Sequence, residues 1–128
     1  MEKKIKVRKK TTVASANNLC EVIVSAIQDK KGNNIVCIDL RQIPEAIADY
    51  FIICDANSNV QVRAIIDNVE EEVKKQLLVK PFHLEGRSNA EWCLADFGDV
   101  IVHIFQTEKR EFFQLEDLWS DGIIQHYD

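Results

Sequence analysis

In the stretch ASANNLCEVIVSAIQDKKGNN, Ala16, Leu19, Cys20, Ile23 and Ile27 recur at helical spacing. This predicts a helix with Lys30 and Lys31 in its last turn and Gly32 as the stop. Two short β-branched and aromatic runs follow, Ile35 to Leu40 and Tyr50 to Cys54, apolar on both faces, as buried central strands are. Pro44 between them disfavours helix at Ile43 and predicts a turn or a single helical turn starting at the proline. The next element is the clearest. Ser58 with Gln61 three residues later makes a capping box, and Val62, Ile65, Ile66, Val69, Val73 and Leu77 form one apolar stripe opposite Asp67, Glu70, Glu71, Lys74 and Lys75.

Pro81 ends that helix, FHLEG reads as a third strand, and AEWCLAD and DVIVHIFQ read as the fourth and fifth. Beyond them Phe112, Phe113, Leu115, Leu118 and Trp119 predict a helical or irregular cover. The order of elements argues for a single α/β (α+β) domain with one mixed sheet of about five strands and helices packed on it. Strand order is not legible. Three segments follow: a flexible basic arm at 1–12, the domain at 13–121 and a C-terminal tail at 122–128.

The last hairpin carries the informative pattern. A two-residue turn at Phe97 and Gly98 would pair Asp96 with Asp99, Ala95 with Val100, Leu94 with Ile101, Cys93 with Val102 and Trp92 with His103. One face then collects Cys93, Ala95, Val100, Val102 and Ile104, small and β-branched, suited to lie under a helix. The other collects Trp92, Leu94, Asp96, Asp99, Ile101, His103 and Phe105. Aspartates facing each other in a hairpin repel, so this face calls for a cationic answer, and its apolar residues call for a cover. The C-terminal aromatics are one such cover, and a basic partner is another. On the residues alone, ordinary turn aspartates, a core tryptophan and a hydrogen-bonded sheet histidine stand beside the recognition reading.

Charge sharpens the choice of partner. The 128 residues carry a net charge of −5, but six of the sixteen basic residues lie in the first ten positions against Glu2 alone. Ten basic and twenty acidic residues remain, so the body is near −10 and the arm near +5. A body this acidic is a poor nucleic-acid binder, and a basic protein suits it better. The arm is either a solvated tail or a contact to RNA beside a docked body. Cys20, Cys37, Cys54 and Cys93 form no CxxC and sit in apolar runs, as in a reducing compartment. No apolar run approaches the roughly 18 residues of a membrane span, so the chain reads as cytoplasmic.

Catalytic schemes find little purchase. No D-x-D places two carboxylates on one strand face for a divalent ion, and no glycine-rich loop cradles phosphate. The tripeptide Asp96-Phe97-Gly98 matches a kinase metal motif without the rest of a kinase. His83, His103 and His126 lack zinc spacing, and no cysteine has an evident activating base. A metal-dependent nucleotidyltransferase-like enzyme and a homodimerising scaffold using the same face stay as competing readings.

ADYFIICDANSNVQVRAIIDNVEEEV, HLEGRSNAEWCLADFGDVIVHIF and REFFQLEDLW, in this order and spacing, closely resemble the ribosomal silencing factor family, also called Iojap, from about Leu19 to Asp121. The resemblance implies a nucleotidyltransferase-like α/β topology without the catalytic carboxylate set, no cofactor, no metal and no chemistry. It implies binding to the large ribosomal subunit through the universal large-subunit ribosomal protein number fourteen, blocking small-subunit joining when nutrients are scarce, with a role in large-subunit biogenesis. Glu85, Glu91, Trp92, Leu94, Asp96 and Asp99 are then the expected docking residues, with Trp92 the anchor and the acids its rim. His103 and Arg110 are lesser candidates, and Gly86, Gly98 and Trp119 are expected to be structural. The stretch CDANSN departs from the small, glycine-containing loop of other members at Asp55 and Asn57.

Overall fold

A computed structural model describes residues 13–127, so the basic arm at 1–12 lies outside the described residues. The first helix, α1, spans Val13–Asp29, and the chain reverses into β1, Asn33–Asp39. Lys30 and Lys31 lie beyond the helix instead of in its last turn. Lys31, and not Gly32, takes the left-handed conformation (φ 62°), while the Gly32 N–H closes the end by donating to Ile27 O at 3.0 Å. Glycine is still required at 32, because a Cβ there would overlap the Ile27 side chain.

After β2 (Tyr50–Ala56) comes α2 (Asn59–Leu77), capped as expected: Ser58 Oγ accepts from the Gln61 N–H at 3.1 Å. The Gln61 side chain does not return to the cap. Its amide donates instead to the carbonyls of Lys30 and Lys31, at 3.2 and 3.0 Å, and ties the start of α2 to the α1–β1 turn. Pro44 lies in successive turns, Ile43 N–H to Leu40 O and Ala46 N–H to Ile43 O, with no helix.

Strands β3 (His83–Glu85), β4 (Trp92–Asp96) and β5 (Val100–Gln106) lead into short helices α3 (Thr107–Phe113) and α4 (Leu115–Leu118), then β6 (Ile123–Tyr127). The mixed sheet therefore has six strands, in the order β3-β4-β5-β2-β1-β6. The sixth comes from the segment read as a tail, antiparallel to β1 with Ile38 opposite Ile124. Among the described residues only β2 and β5 run parallel.

Two cores flank the sheet. On one face Ile23 and Ile27 of α1 and Val62, Ile65, Ile66, Val69 and Val73 of α2 pack on Ile52, Cys54, Cys93, Ala95, Val100, Val102 and Ile104. Burying each such isoleucine or valine favours folding by about 1.5–3 kcal/mol. On the other face the cover is thinner. Val36, Ile38, Phe51, Ile53, Ile101 and Phe105 lie under Leu115 and the partly buried Ile43, Ala46, Trp92, Leu94 and Trp119.

The hairpin keeps the expected faces but not the expected register. Asp96 lies opposite Ile101, Leu94 opposite His103 and Trp92 opposite Phe105. The turn still has two residues but sits one position later, at Gly98 and Asp99, closed by the Phe97 N–H donating to Val100 O at 2.9 Å. A shift of two residues preserves which side each side chain points to, while it removes the repulsive Asp96–Asp99 pairing.

Candidate docking face

The thinly covered face positions most of the expected docking residues. Trp92, at the start of β4, is half-buried, its ring 4.9 Å from that of Phe105 and 4.7 Å from that of Phe113. Its indole N–H donates to His103 Nδ1 at 3.1 Å. Leu94 follows on the same face, half-buried, with Glu85 directly opposite on the exposed strand β3. Asp96 and Asp99 are half-buried at the hairpin end. Asp96 Oδ1 accepts from the Gly98 N–H at 2.8 Å, a turn-closing bond, and the Asp99 carbonyl accepts from the N–H groups of Asp49 and Tyr50.

Glu91 sits at the end of the β3–β4 loop, exposed, 3.8 Å from Lys109, a surface ion pair of at most about 1 kcal/mol. That loop is firmly held. Gly86 has φ 83°, a Cβ there would overlap the Trp92 carbonyl, the Ala90 N–H donates to Gly86 O at 2.8 Å, and Arg63 donates to the carbonyls of Arg87 and Ser88. Gly86 is thus the structural glycine it was expected to be.

Two expected contact residues are placed behind the face. His103 is 4% exposed, with Phe51 edge-on at 4.7 Å. Because Nδ1 accepts from Trp92, the neutral ring carries its proton on Nε2, which is buried and has no hydrogen-bond partner among the described residues. An unsatisfied buried N–H costs about 1–3 kcal/mol. Burial pushes the histidine pKa down from its ordinary value to about 4, so the ring stays neutral at physiological pH.

Arg110 is also turned inward and offers no surface to a partner. Its guanidinium donates to Asp55 Oδ2 at 2.9 Å, to Asn34 O at 2.6 Å and to Glu116 Oε2 at 2.7 and 3.1 Å. Asp55 belongs to β2 and not to a loop, is 2% exposed, and accepts also from Thr107 Oγ1 at 2.9 Å. This network binds α3 and α4 to the sheet, and the Asp55 carboxylate within it answers a buried cation. A cleft of about 600 Å³ opens beside it, lined by Asn34, Asp55, Thr107, Arg110, Glu116 and His126 among others, but the protein's own donors already satisfy the Asp55 oxygens.

The structure adds exposed apolar side chains to the elements that cover this face. Ile47 of the β1–β2 connection, Phe112 and Phe113 of α3 and Leu118 of α4 are exposed, while Trp119 packs edge-on to Phe51 at 5.7 Å. Their placement depends on how the tail folds back over the strands, which no local pattern encodes. Among the described residues no group of three or more His, Cys, Asp or Glu converges to hold a metal ion, and no helix is long and apolar enough to cross a membrane.

An α/β domain with a half-covered aromatic sheet face rimmed by acids is the class that fold and site define. The profile of the family described as ribosomal silencing factor during starvation matches residues 13–128, and the chain belongs to that family. It is 39% identical over 109 residues to the ribosomal silencing factor RsfS of Halalkalibacterium halodurans, covering 84% of this chain and 91% of that one. It is 27% identical over 104 residues to the mouse mitochondrial assembly of ribosomal large subunit protein 1, covering 78% of this chain and 44% of that protein. A crystal structure of a Chromobacterium violaceum protein superposes with a TM-score of 0.77 at 29% identity, covering 81% of this chain and 85% of that one.

Proposed function

We propose that this protein docks on the large ribosomal subunit through the universal large-subunit ribosomal protein number fourteen, using the face that carries Trp92. Docked there it prevents the small subunit from joining, lowers translation when nutrients are scarce, and takes part in large-subunit biogenesis. It acts in the cytoplasm by occupying space and catalyses nothing. The observation that carries the reading is the half-exposed Trp92 and Leu94 edged by Glu85, Glu91, Asp96 and Asp99, an apolar centre with an acidic rim suited to a basic protein. The family name supports it, as does the name of the mouse relative. The basic arm at 1–12 has the sign of charge that draws it to rRNA beside the docked body.

Purified protein mixed with separated subunits tests this by sedimentation. Comigration with the large subunit and a reduced yield of whole ribosomes are expected. Undiminished subunit joining, with the protein left at the top of the gradient, overturns the proposal.

A further inference from the structure

Strand β5 is buried along almost its whole length, and among Val100, Ile101, Val102, Ile104 and Phe105 the one polar side chain is His103. Its neighbours are apolar on every side: Leu94 opposite on β4, Ile53 opposite on β2, Ile101 and Phe105 on its own strand, and Phe51 edge-on. An aliphatic residue would fill this place without leaving a buried N–H unpartnered, as Nε2 now is. The fold alone therefore gives no reason for an imidazole here.

The reason lies one step outward. Trp92 has a single polar side-chain atom, Nε1, and that atom is turned inward onto His103 Nδ1 at 3.1 Å. What the tryptophan leaves accessible is hydrocarbon. The ring contacts with Phe105 and Phe113 are tilted stacks, at interplanar angles of 30° and 46°, which hold the indole plane but do not distinguish it from its flipped orientation. The hydrogen bond makes that distinction, because a flipped indole loses its only acceptor.

We infer that His103 is the positioning residue of the docking face, a buried acceptor that fixes the Trp92 indole in one orientation so that its carbon edge meets the partner. This rests on the docking reading proposed above and deepens it. His103 touches no partner, and its effect passes entirely through Trp92. The acceptor role needs the neutral ring, since a protonated imidazole presents an N–H at Nδ1 to the indole N–H. Burial keeps the ring neutral at physiological pH.

Two measurements on the full chain test the assignment: the indole ¹⁵N–¹H resonance of Trp92, and cosedimentation with isolated large subunits. In His103→Leu the Trp92 indole N–H is expected to shift and to exchange faster with solvent, and docking to weaken by about five- to tenfold, the scale of one lost neutral hydrogen bond. In a Trp92→Phe background, which already lacks the donor, adding His103→Leu is expected to weaken docking no further. His103→Gln, which keeps an acceptor, is expected to recover part of both signals. An indole resonance unmoved in His103→Leu, or equal losses from His103→Leu with and without the indole, overturns the assignment. If His103→Leu does not fold, the resonance of Trp92 in His103→Gln and in wild-type protein titrated toward pH 4 decides the same point. Wild-type protein that leaves the large subunit unbound removes the docking reading instead, and a wild type that binds no better than folded His103→Leu removes only the role of His103.

Discussion

Arg110 and Asp55 meet at 2.9 Å with side chains only 9% and 3% exposed, joining the helix that follows β5 to the end of β2. Removing Arg110 leaves the Asp55 charge stranded in the interior, whereas removing Asp55 leaves Arg110 still paired with Glu116. Arg110→Ala should therefore destabilise the fold by about 3–5 kcal/mol, measured by urea denaturation, and Asp55→Ala by less. The double replacement Arg110→Met with Asp55→Leu should be far less damaging than the two single losses added together. Additive losses would show that the pair is not coupled.

His103 makes stability depend on acid. Its folded pKa of about 4 lies below the unfolded value near 6.5, so the unfolded chain binds the proton first. The stabilisation is complete above pH 6.5, declines as pH falls toward 4, and falls no further below that. By pH 4.5 the loss attributable to this group is on the order of 2–3 kcal/mol. Denaturation of wild-type and His103→Gln protein at pH 7 and pH 4.5 should show that much less acid sensitivity in the variant. Equal sensitivity would mean that other groups govern the acid transition.

Trp92→Ala should weaken docking on the large subunit by on the order of 2 kcal/mol or more, about thirtyfold, if the ring is an anchor. Trp92→Phe, which keeps an aromatic ring, should lose less. Cosedimentation across a protein titration gives both numbers, and circular dichroism shows whether each variant folds.

The acidic rim gives binding a salt dependence. Docking on a basic surface should weaken as salt rises from 50 to 300 mM, conditions chosen to shorten the Debye length to well under roughly 10 Å. Glu85→Lys and Glu91→Lys, both exposed, should weaken docking and reverse part of that dependence. A homodimer through the same face would instead tighten with salt, because like-charged rims repel. Sedimentation velocity of the protein alone over the same series separates the two.

Gly86→Ala tests the loop behind the face. Its φ of 83° and the nearby Trp92 carbonyl leave no room for a Cβ, so the variant should be less stable by at least about 1 kcal/mol. An unchanged melting temperature would show that the β3–β4 loop yields freely.

The faces of the hairpin were legible because parity survives a two-residue slip, and the helix stripe from Val62 to Leu77 because its period is unambiguous. Turn position was not legible. Phe97-Gly98 and Gly98-Asp99 both satisfy the simplest hairpin rule, and only the bond from Phe97 N–H to Val100 O shows that the second pair makes the turn. The Arg110–Asp55 pair spans 55 positions, so nothing local announces it, although an aspartate directly after the apolar run FIIC was a signal that a cation lies nearby. Strand β6 was missed because Ile123 to Tyr127 alternates weakly and is supported by β1 more than by its own pattern. The five apolar residues around His103 in β5 were a signal of its burial, although it was expected at the contact surface, and its bond to Trp92 depended on the true register.

The four free cysteines are all buried, one each in α1, β1, β2 and β4. Burial also raises the thiols of Cys54 and Cys93 above their ordinary range, which suppresses the reactive thiolate. A thiol reagent therefore modifies this protein only as fast as each layer opens, and peptide mapping of the tagged sites would time the opening of helix, inner strands and hairpin separately with no engineered probe.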